Sequence, residues 1–346
     1  MKLSRTSLKD RLKKSESSSE EIRGKPEKEK IKERREEVLK SGRKFKYPLQ
    51  YSKHKLVIIT IAVAVIALVG SIVAGYFLLY KVQTTSDVMY RLTKVLPLSV
   101  AKVDGENVRF SDYLMLYKSS IRPIEEQTGS FAEGEDGDAR RNYFKRSALN
   151  EAEEYAYAAK IAREQNIKVE ESEIDASMGE HREVGGTELT DESFLRIVKD
   201  NFGLTKDEYR HLIRLYILKK NVSVAIDQTA KNTVAEVQQF LSKNNDDFKK
   251  ARDQFGDRVE YEETASPVGS GNIDGGRARK ALTLGKDQVS EPFVSTNGDG
   301  YYIIKCIEKS GGEVSYVSLF IPFTEFDKRM KSLLDSGKIE EYIEIS

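Results

Sequence analysis

The sequence predicts an α+β protein on a single transmembrane helix, and three features predict it. Residues Leu56 to Tyr80 form a run of 25 with no charged side chain. The middle of the chain repeats apolar residues every three or four positions, which is the helical period. Its last third alternates apolar and polar residues between Gly, Pro and Asp turns, as half-buried strands do.

The apolar run comes first. At 1.5 Å per residue it makes a helix about 37 Å long, enough for a hydrocarbon core of about 30 Å with some tilt. Gly70 and Gly75 are compatible with it, because lipid leaves the backbone no partner outside its own ladder. A cleaved signal peptide has a much shorter apolar core behind a short basic stretch, whereas 55 residues precede this one. Those 55 carry 19 Lys and Arg against 9 Asp and Glu, while the remainder holds 38 basic and 47 acidic residues, so a net charge of +1 conceals two oppositely charged parts. Arg43, Lys44, Lys46, Lys53 and Lys55 hold their side in the cytoplasm. The expected topology is a cytoplasmic N-terminus, one crossing of the cytoplasmic (inner) membrane at 55–81, and the rest of the chain outside.

The tail, residues 1–54, reads as disordered or as a solvated helix. Acids interleave with its bases and stacking aromatics are sparse, so contact with anionic lipid accounts for the charge and no nucleic-acid partner is expected. Residues 82–102, including Thr84-Thr-Ser-Asp, have linker character.

From 103 to 221 the pattern is helical. Val103-Asp-Gly-Glu is a hairpin signal. Ser111 can cap a helix bearing Tyr113, Leu114, Leu116 and Tyr117, and Phe131 to Ala139 reads as a loop. The longest helix spans Arg140 to Gln165, with Phe144, Ala148, Ala152, Tyr155, Ala159 and Ala162 on one face. Further helices begin near Glu171 and Asp191, and Gly203 ends the second. Thr205-Lys-Asp-Glu208 is a capping box opening a helix with Tyr209, Leu212, Ile213, Tyr216 and Ile217 inward.

Residues 222–346 read as a second, α+β domain. Val222 to Ile226 is expected as a short strand, Ala230 to Ala251 as one helix, Val314 to Pro322 as a strand, and Phe323 to Leu334 as a helix. Ile339 to Ile345 is a final, partly apolar piece of unassigned role. The single cysteine, Cys306, lies in an alternating strand, which excludes an intramolecular disulfide and favours a buried thiol. Histidine is equally scarce: His54 abuts the apolar run, and only His181 and His211 follow. Metal sites and catalytic triads have almost no ligands or bases to draw on, so no metal and no cofactor is expected.

The leading Val103-Asp-Gly-Glu, the Ala-rich helix into Ala162-Arg-Glu-Gln-Asn-Ile-Lys-Val, and Phe202-Gly-Leu-Thr-Lys-Asp-Glu-Tyr-Arg together resemble the helical chaperone region of the SurA, PrsA and PpiD-type foldases. Ala281-Leu-Thr-Leu-Gly-Lys-Asp-Gln-Val-Ser-Glu-Pro-Phe-Val leading into Gly298-Asp-Gly-Tyr-Tyr-Ile-Ile-Lys is similar to the C-terminal half of a parvulin-type prolyl isomerase domain. The resemblance implies two pocket histidines, one on the first strand and one in the Gly-Tyr-His-Ile-Ile segment. Here Tyr302 stands at the second position, Val222 to Ile226 has no histidine, and none follows His211. Isomerisation requires no formal acid or base, since its barrier of about 20 kcal/mol comes from amide resonance. No catalytic residue is assigned, and whether the chain is an enzyme stays open.

The resemblance implies a membrane-anchored extracytoplasmic folding factor that binds unfolded or nascent exported polypeptides. Phe293, Tyr301 and Tyr302 are the candidate client-binding residues, although most of the aromatics, these three and Phe320, Phe323 and Phe326 among them, are expected in the core. An active prolyl isomerase and a non-catalytic scaffold docking one folded partner are the alternatives.

Overall fold

The computed structural model describes residues 26–46, 48–128, 135–184 and 187–345. It is a mixed α+β structure in two compact units, residues 1–75 and 76–346.

In the first unit, α1 (Glu27–Lys46) is a polar helix whose described side chains are almost all exposed. The part of the tail before Pro26 lies outside the described residues. α2 (Pro48–Tyr76) runs into a π-helical turn, Phe77–Lys81. The stretch His54–Lys81 is long and apolar enough to cross a membrane, and its most apolar window is entirely unburied. Within it the hydroxyls of Thr60 and Ser71 donate to the carbonyls of Leu56 and Ala67, at 2.9 and 2.8 Å. Such back-bonding leaves no polar hydrogen needing water.

In the second unit, α3 (Asp87–Val95) precedes the hairpin of β1 (Ser99–Val103) and β2 (Glu106–Arg109). Asp104 and Gly105 at its tip have φ of 47° and 87°, the left-handed pair that an Asp-Gly turn supplies. α4 (Phe110–Thr128) packs on α5 (Glu135–Gln165), which also covers both strands. α5 starts five residues earlier than the sequence suggests. Asp136 and Asp138 in its opening turns suit the positive end of the helix dipole, so an acidic stretch continues the helix. Residues 131–134 of the expected loop lie outside the described residues.

Next come α6 (Glu171–Arg182), a short hairpin of β3 (Glu183–Val184) and β4 (Thr187–Glu188), α7 (Asp191–Phe202) and α8 (Lys206–Ile226). The capping box at α8 is formed: the Glu208 amide donates to Thr205 Oγ1 at 3.3 Å, and the Thr205 amide donates to the Glu208 carboxylate at 2.8 Å. Burial pushes the Glu208 carboxyl up, but the Thr205 amide, Lys94 and the Tyr90 hydroxyl outweigh it and bring it down to about 2.

The strand expected at Val222–Ile226 is instead the last turn and a half of α8. Val222 and Ser223 are buried there, and packing outweighs the β-preference of alternating Val residues. The single helix expected from Ala230 to Ala251 is two, α9 (Gln228–Lys243) and α10 (Phe248–Phe255). Asn245 and Asp246 break it with φ of 53° each. β5 (Glu260–Glu263), β6 (Val268–Gly269), α11 (Arg277–Leu282), β7 (Phe293–Val294), β8 (Gly300–Ser310) and β9 (Glu313–Pro322) follow. Their antiparallel sheet has the order β5-β9-β8-β7, with β6 also on β9. α9 and α10 cover one face, over Ile303, Val317, Leu319 and Ile321. α11 covers the other, over Tyr302, Ile304, Cys306 and Tyr316. Cys306 is fully buried, and burial pushes its thiol up.

The chain then returns. α12 (Glu325–Asp335) packs against α8, and β10 (Ile339–Glu341) pairs antiparallel with β1, placing Val103 opposite Ile339. Phe326, Leu333 and Ile343 join the core formed by Val100, Phe110, Tyr113 and Leu149. The C-terminal segment thus completes the helical lobe, and residues 227–323 form a sheet lobe inserted into it. Both crossings meet at Asp227, which is fully buried. One carboxylate oxygen accepts from the Ala230 amide at 2.8 Å, capping α9; the other accepts from the Thr324 and Glu325 amides at 2.7 and 3.0 Å, capping α12.

Candidate functional site

A cleft of about 940 Å³ separates the helical lobe from the sheet lobe. α8 forms its floor through Tyr209, Leu212, Ile213, Tyr216 and Ile217, flanked by Tyr155 of α5 and by Ala176, Glu180 and His181 of α6. The opposite wall is formed by Ser270 to Gly276 with Arg279 and by Val294 to Asn297. Aromatic and aliphatic side chains of α8 therefore face a mostly polar wall.

The floor is oriented by hydrogen bonds. The Tyr155 hydroxyl donates to Glu151 at 2.7 Å, and the Tyr209 hydroxyl lies 3.0 Å from His181 Nδ1. Tyr216 donates to the carbonyl of Thr296, joining the lobes across the cleft. Burial, followed by the nearby Asp299 and Glu180 carboxylates, pushes the Tyr216 phenol up to about 12. Burial pushes the His181 imidazole below its ordinary value, favouring the neutral ring.

The wall depends on two glycines. Gly275 and Gly276 have φ of 72° and 87°, and a Cβ on Gly275 would stand 2.8 Å from Ser295 Oγ and 2.9 Å from the Tyr302 ring. Only glycine lets this turn lie against the sheet. Beside it Asp274 is more than nine-tenths buried. Its Oδ2 accepts from the Tyr316 hydroxyl at 2.6 Å, the Ala278 amide at 2.9 Å and Asn272 Nδ2 at 2.9 Å, whereas Oδ1 has no partner among the described residues. Nε of Arg279, whose guanidinium lies 3.6 Å from Glu180, likewise has none. Both atoms are buried, so they are polar groups held inside the wall without a partner among the described residues. Ile273, at its lip, is 98 % exposed.

Of the residues singled out from the sequence, Phe293 and Tyr302 come together and Tyr301 does not. Phe293 and Tyr302 are register partners with ring centroids 5.9 Å apart, while Tyr301 points to the other face of the sheet, its ring 5.0 Å from Phe323. Tyr302 is buried beneath Phe320, at 4.8 Å, and Arg277, whose guanidinium carbon lies 4.9 Å from the ring centre. Arg277 is held by the Asp274 carbonyl at 2.7 Å, Ser318 Oγ at 3.1 Å and an ion pair with Glu262. None of the three lines the cleft. Its own floor residues Tyr209, Leu212 and Tyr216 were expected inward with Ile213 and Ile217; they are half-buried and face the cleft, while the two isoleucines are buried. The signal was present: Leu215 and Leu218 make α8 apolar on more than one face, which a helix with one buried stripe does not need.

His211, the other histidine of this unit, has Nε2 3.0 Å from an Asp112 carboxylate oxygen, away from the cleft. Among the described residues no group of three or more His, Cys, Asp or Glu side chains could hold a metal ion.

No curated protein matches the chain, and no solved structure does. A family model described as the SurA-like N-terminal domain matches residues 50–223, half of the sequence, from the apolar helix through the floor of the cleft, and the chain belongs to that family.

Proposed function

We propose that this protein is a membrane-anchored extracytoplasmic folding factor whose cleft holds extended segments of non-native exported polypeptides. The observation that carries the reading is the cleft's asymmetry. An unfolded segment presents apolar side chains and unpaired peptide groups together, and this cleft sets the Tyr and Leu side chains of α8 against a glycine-containing, mostly polar wall. Each contact is weak and independent of sequence, as binding of many clients requires. Membership of the SurA-like family supports the same reading. The uncharged stretch supports the anchored reading, and the excess of basic residues before it favours a cytoplasmic N-terminus.

The sheet lobe reads as a degenerate parvulin-like domain. The site occupied by Tyr302 is filled by Arg277, Phe293 and Phe320, which leaves no open proline pocket at that position and favours binding over isomerisation.

The test uses the full chain in nanodiscs. At equimolar amounts it should suppress light scattering by a chemically unfolded, reduced model protein, and Leu212→Asp with Ile273→Asp should abolish most of that effect while leaving the circular dichroism unchanged. No suppression by the wild-type chain, or full suppression by the double variant, overturns the assignment. A proline-isomerisation assay on the same samples is expected to stay at the uncatalysed rate.

A further inference from the structure

The helix nearest the end of the span carries an apolar stripe that the fold leaves uncovered. α3 buries Tyr90 and Thr93, and turns outward Val88 at 73 % exposure, Leu92 at 37 % and Val95 at 81 %, with Leu96 at 42 % just beyond its end. Positions 88, 92, 95 and 96 share one face of a helix. Arg91, on the same side, is exposed. Isolated exposed aliphatics are ordinary, but an aligned set on a nine-residue helix of otherwise amphipathic design is not.

Chain geometry fixes what lies near this stripe. The span-length stretch ends at Lys81 and α3 begins at Asp87, six residues on, so the two are no more than about 20 Å apart even if fully extended. The connection is not loose. Leu79, in the last turn of that stretch, is fully buried in the same core as Tyr90 of α3, and the Tyr80 hydroxyl donates to the Ser99 carbonyl at 2.7 Å. The end of the span and α3 are therefore parts of one packed body. Tyr76, Phe77 and Val82 are also exposed around the exit point, a placement suited to the headgroup level.

We infer that α3 lies on the outer surface of the bilayer, with Val88, Leu92, Val95 and Leu96 in the interface and Arg91 toward anionic lipid headgroups. This rests on the reading of His54–Lys81 as a membrane span. A short helix gains little from such burial by itself, but the span already holds it at the surface, so no free-energy cost of capture is incurred. Its consequence is orientation: a second contact stops the body from swivelling about the span and fixes where the cleft opens relative to the membrane.

The experiment uses the full chain with Cys306→Ala, reconstituted at low density in phosphatidylcholine/phosphatidylglycerol vesicles. Single cysteines replacing Val88, Val95, Asp253 or Ile66 carry an environment-sensitive fluorophore, with spin-labelled lipids as quenchers. Asp253 lies exposed on α10 as the aqueous control, and Ile66 reports the span. Probes at 88 and 95 should lose more than half of their emission to a shallow quencher while the probe at 253 keeps nearly all of its own. If 66 is quenched by a deep label but 88 and 95 match 253, the inference fails and the anchor stands. If 66 is unquenched, the anchor fails and the inference with it. Blue-shifted but unquenched probes at 88 and 95 that revert on dilution mean a second copy of the chain covers the stripe, which also overturns it.

Discussion

Glu153 offers a sharp test of the packing of the helical lobe. It sits on α5, only 4 % exposed, and Oε1 of its carboxyl has no hydrogen-bond partner among the described residues. Burial, then the facing Glu341 carboxylate on β10, raises it from 4.5 to about 8 against the opposing pull of Arg146, with Glu154 adding repulsion. Arg146 compensates little because it is already paired with Glu341 at 2.6 Å. The folded chain therefore keeps a proton that the unfolded chain releases above 4.5. Between 4.5 and 8 the folded state binds more protons, so this carboxyl's contribution to stability is complete below 4.5 and is lost progressively as pH rises to about 8. At 1.36 kcal/mol per tenfold change in acidity, the loss between pH 5 and 9 is on the order of 4 kcal/mol. Glu153→Gln keeps the shape and removes the titration. Urea denaturation of the full chain in detergent micelles, followed by far-UV circular dichroism because the chain has no tryptophan, should show the variant gaining on the wild type by that amount from pH 5 to pH 9. Parallel stability curves for the two proteins would refute the reasoning, and so would a wild-type advantage that grows with pH.

Two further substitutions probe how the lobes and the exit helix are joined. Asp227→Ala removes the acceptor of three amide hydrogen bonds at a fully buried position, and should cost on the order of 3–5 kcal/mol in denaturant unfolding, with faster amide exchange at the starts of both α9 and α12; loss confined to α9 would show that α12 is not held there. Leu79→Ala should cost about 2–5 kcal/mol although it lies within the span-length stretch, and a soluble fragment beginning at Ser86 should melt below one beginning at Tyr76; equal melting would show that Leu79 contributes nothing to the core.

What was legible in the sequence was what is written locally. The apolar helix, the Asp104-Gly105 turn and the Thr205–Glu208 box each lie within one short window and match the structure. Val222 to Ile226 misled because Val-Ser-Val-Ala-Ile has the period of a strand, while what decides its conformation is burial of Val222 against a distant core. The Asn245–Asp246 break was hidden because Phe248 and Ala251 continue the apolar phase of α9. The pairing of β10 with β1 joins residues more than 230 positions apart, which no local pattern encodes. The cleft was the least visible feature, because its lining comes from five separated stretches and each floor residue is, by type, an ordinary core residue.

The inserted topology ties the cleft to the rest of the molecule in a specific way. Because the chain leaves the helical lobe after Ile226 and re-enters it at Thr324, both connections pass the same carboxylate, and Asp227 fixes them at one point. Away from that point the lobes meet through side-chain contacts such as the bond from Tyr216 to Thr296 and the Arg279–Glu180 pair, both of which lie in the cleft. On the proposed reading, a fixed joint with exchangeable contacts beyond it would let the cleft adjust to a client at small cost, since peptide groups of a bound segment would replace the bonds that the lobes make to each other. A cleft closed by strong, dry packing would have to give up that packing for every client. Polar bridging in the cleft and tight burial at Asp227 are therefore two halves of one arrangement, which on the proposed reading joins a stable hinge point to an adaptable grip.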